Sequence, residues 1–160
     1  MTITIEQLET KQAELATEQT ELAKQIAKFK AQNTIAQVIA LPEARIELRE
    51  GEHYAGFLVG KDGVAGHHVI LLPEQAEDIK WADAVKWAAE QGGELPTRRE
   101  QALLFANLKE QFKAAWYWSS ETHASDSDFA WTQDFYYGFQ DNDDKTYEFR
   151  ARAVRRLTIE

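Results

Sequence analysis

Residues 115–156 read AWYWSSETHASDSDFAWTQDFYYGFQDNDDKTYEFRARAVRR, and this stretch decides the fold. It contains three Trp, four Tyr and four Phe. Apolar and polar side chains alternate over residues 131–136 and 147–154, which is the period of a β-strand with one buried face. The pattern predicts two strands whose aromatic side chains are mostly core, joined by a loop.

Shorter strands and two helices are predicted before this stretch. Extended apolar runs separated by turn sequences lie at residues 45–48, 53–59 and 67–72. Apolar side chains recur at helical spacing from Ile79 to Gln91, and Thr97 followed by Glu100 is a capping box that begins a second helix. We expect an α+β domain in which antiparallel strands flank two central helices.

Residues 3–33 are rich in Glu, Gln, Lys, Ala and Leu, which predicts one long helix. Its apolar residues follow a heptad repeat, which is typical of a coiled coil that joins several copies of a chain. The residues expected to form this seam are Ile5, Leu8, Leu15, Leu22, Ile26 and Phe29. Gln at two seam positions limits the register, and Ala16 and Ala23 beside the seam widen it beyond a two-stranded stripe, so a parallel trimer is preferred over a dimer. The alternative is a helix that packs back on its own domain.

These patterns divide the chain into three parts: an oligomerisation helix at residues 1–34, a linker and first strand at 35–52, and a domain at 53–160. The 160 residues carry a net charge of −9 and no cysteine. Disulfides, thiolate metal sites and Cys nucleophiles are therefore excluded. The negative charge disfavours nucleic acids and anionic membranes as partners. The N-terminus has neither the basic region nor the apolar stretch of a secretory signal peptide.

Three groups of residues suggest catalytic or metal sites but lack the required arrangement. His67 and His68 are adjacent in a predicted strand and point to opposite faces, so they do not ligate one metal. The segment 119–126 contains Ser, His and Asp without the glycines of a hydrolase elbow. The strings HASDSD and QDNDDK fit no calcium loop. We expect no metal, no cofactor and no enzymatic activity.

Four strings, GGELPTRREQALLF, WYWSSET, FAWTQDF and YEFRARAVRRL, occur in this order along the chain. Together they resemble a lectin-like domain family found at the end of a bacterial collagen-like adhesin and as small stand-alone prophage proteins. The resemblance covers about residues 53–157 and implies a C-type-lectin-like fold, related to formylglycine-generating enzymes, for the domain at 53–160. It implies that Trp118, Trp131 and Phe135 are core. Trp116 and Tyr117 fall on the alternate face, where some exposure is expected.

The candidate binding surface is the segment between the last two predicted strands, with two arginines of the final strand. Aromatic side chains beside Asp and Asn combine rigid contact area with adaptable hydrogen bonds, as recognition loops do. The arginines either bind a phosphate or sulfate group or form cross-strand ion pairs. The candidate ligand-binding residues are Tyr136, Tyr137, Phe139, Asp141, Asn142, Asp143, Arg150 and Arg152.

We expect a non-enzymatic phage or prophage recognition protein, with a lectin-like head multiplied by a coiled-coil stem. Its expected partners are further copies of the chain and a host protein, glycan or small molecule. The alternative is an intracellular phage anti-defence factor that inhibits or sequesters a host protein or a signalling nucleotide. A purely structural virion subunit is a third possibility. The expected location is the cytoplasm of the infected host cell, or the virion.

Overall fold

A computed structural model describes residues 4–32 and 45–158 of the chain. The chain divides into two compact units, residues 1–42 and residues 43–160. The predicted α+β class is confirmed, because a long helix lies in the first unit, and a sheet of six strands with two helices lies in the second. The ends of the predicted oligomerisation helix and residues 35–44 of the predicted linker lie outside the described residues.

Helix α1, Ile5–Gln32, has a capped start that the sequence reading missed. The Thr4 N–H donates to Gln7 Oε1 (3.2 Å), and the Gln7 N–H donates to Thr4 Oγ1 (3.4 Å). Each side chain therefore accepts a hydrogen bond from the backbone N–H of the other residue, as in a capping box. Glu6 in the first turn and Lys30 in the last complement the helix dipole. The apolar side chains of the predicted seam are all exposed in the single chain: Ile5, Leu8, Leu15, Leu22, Ile26 and Phe29.

The second unit is built from short strands and two helices. The strands are β1 (His53–Leu58), β2 (His67–Lys80), β3 (Trp116–Thr122), β4 (Phe129–Asp134), β5 (Gln140–Asp144) and β6 (Glu148–Leu157). The helices are α2 (Trp81–Glu90) and α3 (Arg98–Leu108), and a 3₁₀ turn, Lys109–Gln111, follows α3.

The strands form one sheet in the order β1-β2-β6-β3-β4-β5. Neighbouring strands are antiparallel except β3 and β6, which run parallel through the pair Tyr117 and Arg150. The prediction of a wholly antiparallel sheet is therefore wrong. Strands β4 and β5 extend the sheet on one side of β3, so the returning chain enters as β6 on the other side, between β2 and β3.

Three predicted element boundaries are also wrong. Residues 45–48, predicted as a strand, have no regular structure. Strand β2 continues past Leu72 to Lys80 because its polar second half pairs with the first half of β6, and α2 consequently begins at Trp81 rather than Ile79. Strand β5 lies within the segment predicted as a loop, because it pairs along its whole length with β4.

Helices cover both faces of the sheet. One apolar cluster joins α3 to Tyr117 and Phe135, and the other joins α2 to Trp118. Trp118 and Phe135 are buried, as predicted, whereas Trp131 is half-buried beneath the Arg98 guanidinium, 3.4 Å from its ring centroid. Tyr117, assigned to the alternate face, is buried as well. Alternation does not separate core from surface on a strand that is covered on both sides.

The predicted capping box at the start of α3 is confirmed. Thr97 Oγ1 accepts from the Glu100 N–H (3.3 Å), and the Glu100 carboxylate accepts from the Thr97 N–H (2.7 Å). This carboxylate is fully buried and also accepts from Arg156 Nε (2.6 Å), Arg156 Nη2 (2.9 Å) and His67 Nε2 (2.7 Å). Burial by itself would raise the pKa of Glu100, but the bonds from Arg156 and Thr97 lower it to about 2.

The stability of the fold should therefore depend on Glu100 in acid. Because the folded pKa of about 2 lies below the ordinary 4.5, the carboxylate contributes fully above about pH 4.5, and its contribution is lost as the pH falls towards 2. Glu100→Gln should lower the free energy of unfolding by about 3 kcal/mol at pH 7, since it leaves the Arg156 charge without its buried partner. Urea unfolding followed by circular dichroism measures this difference.

Urea unfolding of the same two proteins at pH 3 tests the pH dependence. The difference in free energy of unfolding between wild type and Glu100→Gln should be smaller at pH 3 than at pH 7, because the unfolded wild-type chain gains a proton at Glu100 that the variant cannot bind. A hydrogen bond from Arg155 likewise lowers the pKa of Glu52 to about 2, and this contribution is common to both proteins. A difference that stays the same from pH 7 to pH 3 would contradict the proposed role of the carboxylate.

Candidate recognition site

A hydrogen-bonded turn joins β4 to β5 and carries the predicted aromatic residues. The carboxylate of Asp134 accepts from the backbone N–H groups of Tyr136 and Tyr137, both at 2.9 Å. The backbone of Asp134 also accepts from the Gly138 N–H (2.9 Å) and donates to the Phe139 carbonyl (2.8 Å). Four hydrogen bonds from one residue therefore fix residues 136–139, which we call the aromatic turn.

Helix α3 and the residue after it contact the aromatic turn through Phe105 and Lys109. Gly138 has a φ of +89°, and a Cβ atom at this position would lie 2.8 Å from the Phe105 ring, so the turn requires glycine here. Phe105 itself packs against Phe135 with ring centroids 5.9 Å apart. Just beyond the helix, Lys109 Nζ donates to the Tyr136 carbonyl (2.7 Å). The turn therefore rests on an aromatic contact and a charged hydrogen bond from the same segment.

The three aromatic side chains of the turn point outwards. Tyr136, Tyr137 and Phe139 are 54%, 70% and 65% exposed. The rings of Tyr136 and Tyr137 meet edge to face with centroids 4.3 Å apart, and Phe139 lies 6.0 Å from Tyr137. Large exposed rings in mutual contact on a fixed backbone are typical of recognition surfaces, since little conformational entropy is lost when they bind.

The acidic residues of the predicted site lie on strand β5 rather than in a loop. The Asp143 carboxylate accepts from the Thr132 hydroxyl (2.7 Å), so it is bound to the neighbouring strand. Asp141 Oδ1 accepts from the Asn142 N–H (2.8 Å), so it provides an acceptor for a backbone donor on the edge strand β5. Asp141 and Asn142 flank the aromatic turn, whereas Asp143 mainly secures β5.

The structure does not bring the two predicted arginines to this surface. Arg150 is half-buried and forms an ion pair with Glu77, as the cross-strand alternative anticipated. Arg152 is only 5% exposed, and its guanidinium donates to the carbonyls of Leu72 (2.8 Å) and Gln111 (2.7 Å). Arg152 is therefore a structural residue, and we do not retain either arginine in the candidate site.

The residues that hold the turn were not predicted from the sequence. They are Asp134, Gly138, Phe105 and Lys109. The string DFYYG contained a usable indication, since Asp followed by a glycine four residues later is typical of a side-chain-capped turn. Phe105 and Lys109 come from a distant segment, and nothing local indicates their contact with the turn.

Within residues 4–32 and 45–158, no group of three or more His, Asp or Glu side chains is arranged to hold a metal ion. In the same part of the chain, no helix is both long and apolar enough to cross a membrane. No protein-family model matches the sequence, and comparison with curated proteins finds no match.

The role of Asp134 is testable in the free protein. Asp134→Ala removes the acceptor of two backbone N–H groups and should lower the free energy of unfolding by about 2 kcal/mol. Amide hydrogen exchange at Tyr136 and Tyr137 should accelerate more than exchange in β3. Asp134→Asn, which keeps one acceptor oxygen, is the matched control. Its free energy of unfolding and its exchange rates at Tyr136 and Tyr137 should lie between those of wild type and Asp134→Ala. Unchanged exchange at both tyrosines in Asp134→Ala would contradict this account of the turn.

Proposed function

We propose that the chain is a non-enzymatic recognition protein of phage or prophage origin, in which a lectin-like head binds a partner through the aromatic turn. The observation that carries this proposal is the turn itself, with three exposed aromatic side chains held by the buried carboxylate of Asp134. A turn that only connected two strands would gain nothing from exposed aromatic rings, which are unfavourable in water.

The lectin-like assignment rests on the four sequence strings and gains support from where they lie. They correspond to the start of α3 and to strands β3, β4 and β6, and they contact one another in the core. Gln101 of α3 donates to the Tyr117 carbonyl of β3 (3.1 Å), and Tyr117 packs edge to face on Phe135, which follows β4. Glu100 of α3 binds Arg156 of β6. Because the four strings form the core of the domain, their resemblance to the lectin-like family favours a common fold. It does not indicate which ligand the domain binds.

We further propose that α1 joins several heads as a coiled coil, with the parallel trimer preferred. The proposal is supported by the exposed heptad row on a capped helix of 28 residues. Burying such a row against other copies removes apolar surface from water, which a single helix in solution does not achieve. Linking several weak sites raises the apparent affinity for a multivalent partner by about 10²–10⁴.

The stem is tested in the full-length protein. Leu15→Lys combined with Leu22→Lys places charge in the seam and should convert the oligomer to a monomer in analytical ultracentrifugation. Thr10→Lys combined with Thr17→Lys is the matched control, because it adds the same charge on the opposite side of the helix. Dissociation by both variants, or by neither, would place the association outside the predicted seam.

Partner capture tests the recognition surface. Tyr137→Ala should lower the apparent affinity for the captured partner at least about tenfold, as expected for a central aromatic residue of an interface. Tyr147→Ala removes another tyrosine, 57% exposed and outside the aromatic turn, and should leave capture unchanged. The tagged variants are exposed to extracts of bacteria expressing the protein, and the retained proteins, glycans and nucleotides are quantified by mass spectrometry.

The captured molecule also distinguishes the candidate functions. A surface glycan or envelope protein supports a receptor-binding role, whereas a cytoplasmic protein or signalling nucleotide supports the anti-defence alternative. Equal capture by Tyr137→Ala, Tyr147→Ala and wild type would contradict the assignment of the site.

A further inference from the structure

The guanidinium of Arg98 is held in a fixed position next to the aromatic turn. It lies over the Trp131 ring, 3.4 Å from the ring centroid, and its Nε donates to Gln140 Oε1 (3.2 Å). Gln140 Nε2 donates in return to the Arg98 carbonyl (2.7 Å), so two hydrogen bonds join these residues. Gln140 directly follows Phe139 of the aromatic turn. The guanidinium therefore lies at the edge of the candidate recognition surface.

The terminal amino groups of Arg98 are not used within the protein. In the described part of the chain, the donors of Arg98 that have an acceptor are its backbone N–H and its Nε, and the residue forms no ion pair. Neither Nη1 nor Nη2 is buried without a partner, so both are open to solvent. A guanidinium presents its N–H donors in a rigid planar fork that matches the two oxygens of a carboxylate. Both terminal amino groups therefore remain for a ligand.

The arginines of strand β6 do not offer such a fork. Three are bound by carboxylates and one by two backbone carbonyls; these are Arg150, Arg155 and Arg156, and Arg152, respectively. Arg99, the neighbour of Arg98 on α3, is exposed and donates to the Val59 carbonyl (3.0 Å). Of these arginines, Arg98 is the one that combines an aromatic support with two open amino groups.

Two further polar side chains lie around Trp131. Asn142 is its cross-strand partner on β5, so the two side chains share one face of the sheet. The His123 ring centroid lies 5.8 Å from that of Trp131, and His123 Nδ1 is bonded to Ser125 Oγ (3.3 Å). Within the described residues, neither the Asn142 side-chain amide nor His123 Nε2 has a partner. Hydrogen-bonding groups therefore surround the ring that supports the guanidinium.

The charges near Arg98 favour a ligand with a single negative charge. Glu121 Oε1 accepts from the Arg98 backbone N–H (2.9 Å) but forms no ion pair with the guanidinium. Asp141 follows Gln140 on β5, so its side chain points to the opposite face of the sheet. Because Glu121 remains close by and the chain carries a net charge of −9, a carboxylate fits the site better than a doubly charged phosphate.

We propose that Arg98, stacked on Trp131, binds the carboxylate of an Asp or Glu side chain of a protein partner whose neighbouring residues contact the aromatic turn. The inference rests on the function proposed for that turn and specifies its partner as a protein with an exposed acidic residue. Arg, Trp and Tyr are the residue types that contribute most to binding energy at protein interfaces. A guanidinium that is already fixed loses little conformational entropy when it binds.

Binding of a carboxylate is measured in the free full-length protein at pH 7 and constant ionic strength. The probe is Nα-acetyl-glutamate N-methylamide, and the readout is the indole N–H resonance of Trp131 in ¹H–¹⁵N spectra, identified by its loss in Trp131→Phe. The resonance should shift saturably, with a Kd on the order of 10 mM. The neutral glutamine analogue should produce no saturable shift. Tighter binding of glucuronate or of inorganic phosphate would overturn the assignment to an acidic side chain.

Variants of the two adjacent arginines test which guanidinium binds the probe. Arg98→Gln should abolish the saturable shift, and Arg98→Lys should weaken binding at least about threefold, because lysine keeps the charge but not the planar fork. Arg99→Gln is the matched control, since it removes the same charge from the next residue of α3, and should bind like wild type. Equal weakening by Arg98→Gln and Arg99→Gln, or an unchanged Kd in Arg98→Gln, would overturn the proposal.

Capture of the partner separates this inference from the proposed function. Arg98→Gln should lower the apparent affinity for the captured protein at least about tenfold, as expected for a charged hydrogen-bonded contact of an interface. Loss of capture in Tyr137→Ala but not in Arg98→Gln would overturn the carboxylate contact and leave the aromatic turn as the binding surface. Loss in Arg98→Gln but not in Tyr137→Ala would instead support the carboxylate contact and contradict the function proposed for the turn.

Discussion

The buried carboxylate of Glu100 is the interaction on which the architecture of the second unit depends. A charge without solvent is costly unless it is fully bonded, and Glu100 meets this condition with donors from three elements: the start of α3, Arg156 of β6 and His67 of β2. The chain has no cysteine, so no disulfide supplements these contacts. Because both α3 and the two strands must be in place to satisfy the carboxylate, it selects one position of the helix on the sheet.

That position of α3 determines where the aromatic turn can form. Along the helix, Arg98 lies over Trp131 and Phe105 lies against Phe135, so α3 follows β4 towards its end. The same helix then brings Phe105 beneath Gly138, and Lys109 to the Tyr136 carbonyl. The buried Asp134 carboxylate completes the turn from the strand side. A structural ion pair at one end of α3 is thus connected to an exposed aromatic surface at the other end through a rigid helix.

Local sequence patterns predicted the features that depend on residues close together in the sequence. The capping box at Thr97 and Glu100, the long first helix, and the core positions of Trp118 and Phe135 followed from spacing or from the family resemblance. The burial of Tyr117, the parallel pairing of β3 with β6 and the position of Arg152 depend on elements distant in sequence, and no periodicity encodes them. At the candidate site, the exposed aromatic residues were predicted, but their supporting contacts were not.

The central claim is that the aromatic turn is formed before any partner binds, because function as a recognition surface depends on it. Backbone ¹⁵N relaxation of the free full-length protein measures this directly at residues 136–139. The account predicts order parameters near about 0.85 there, equal to those of β3 and β4. Values below about 0.6 at Tyr136 and Tyr137, with β3 and β4 still rigid, would contradict it.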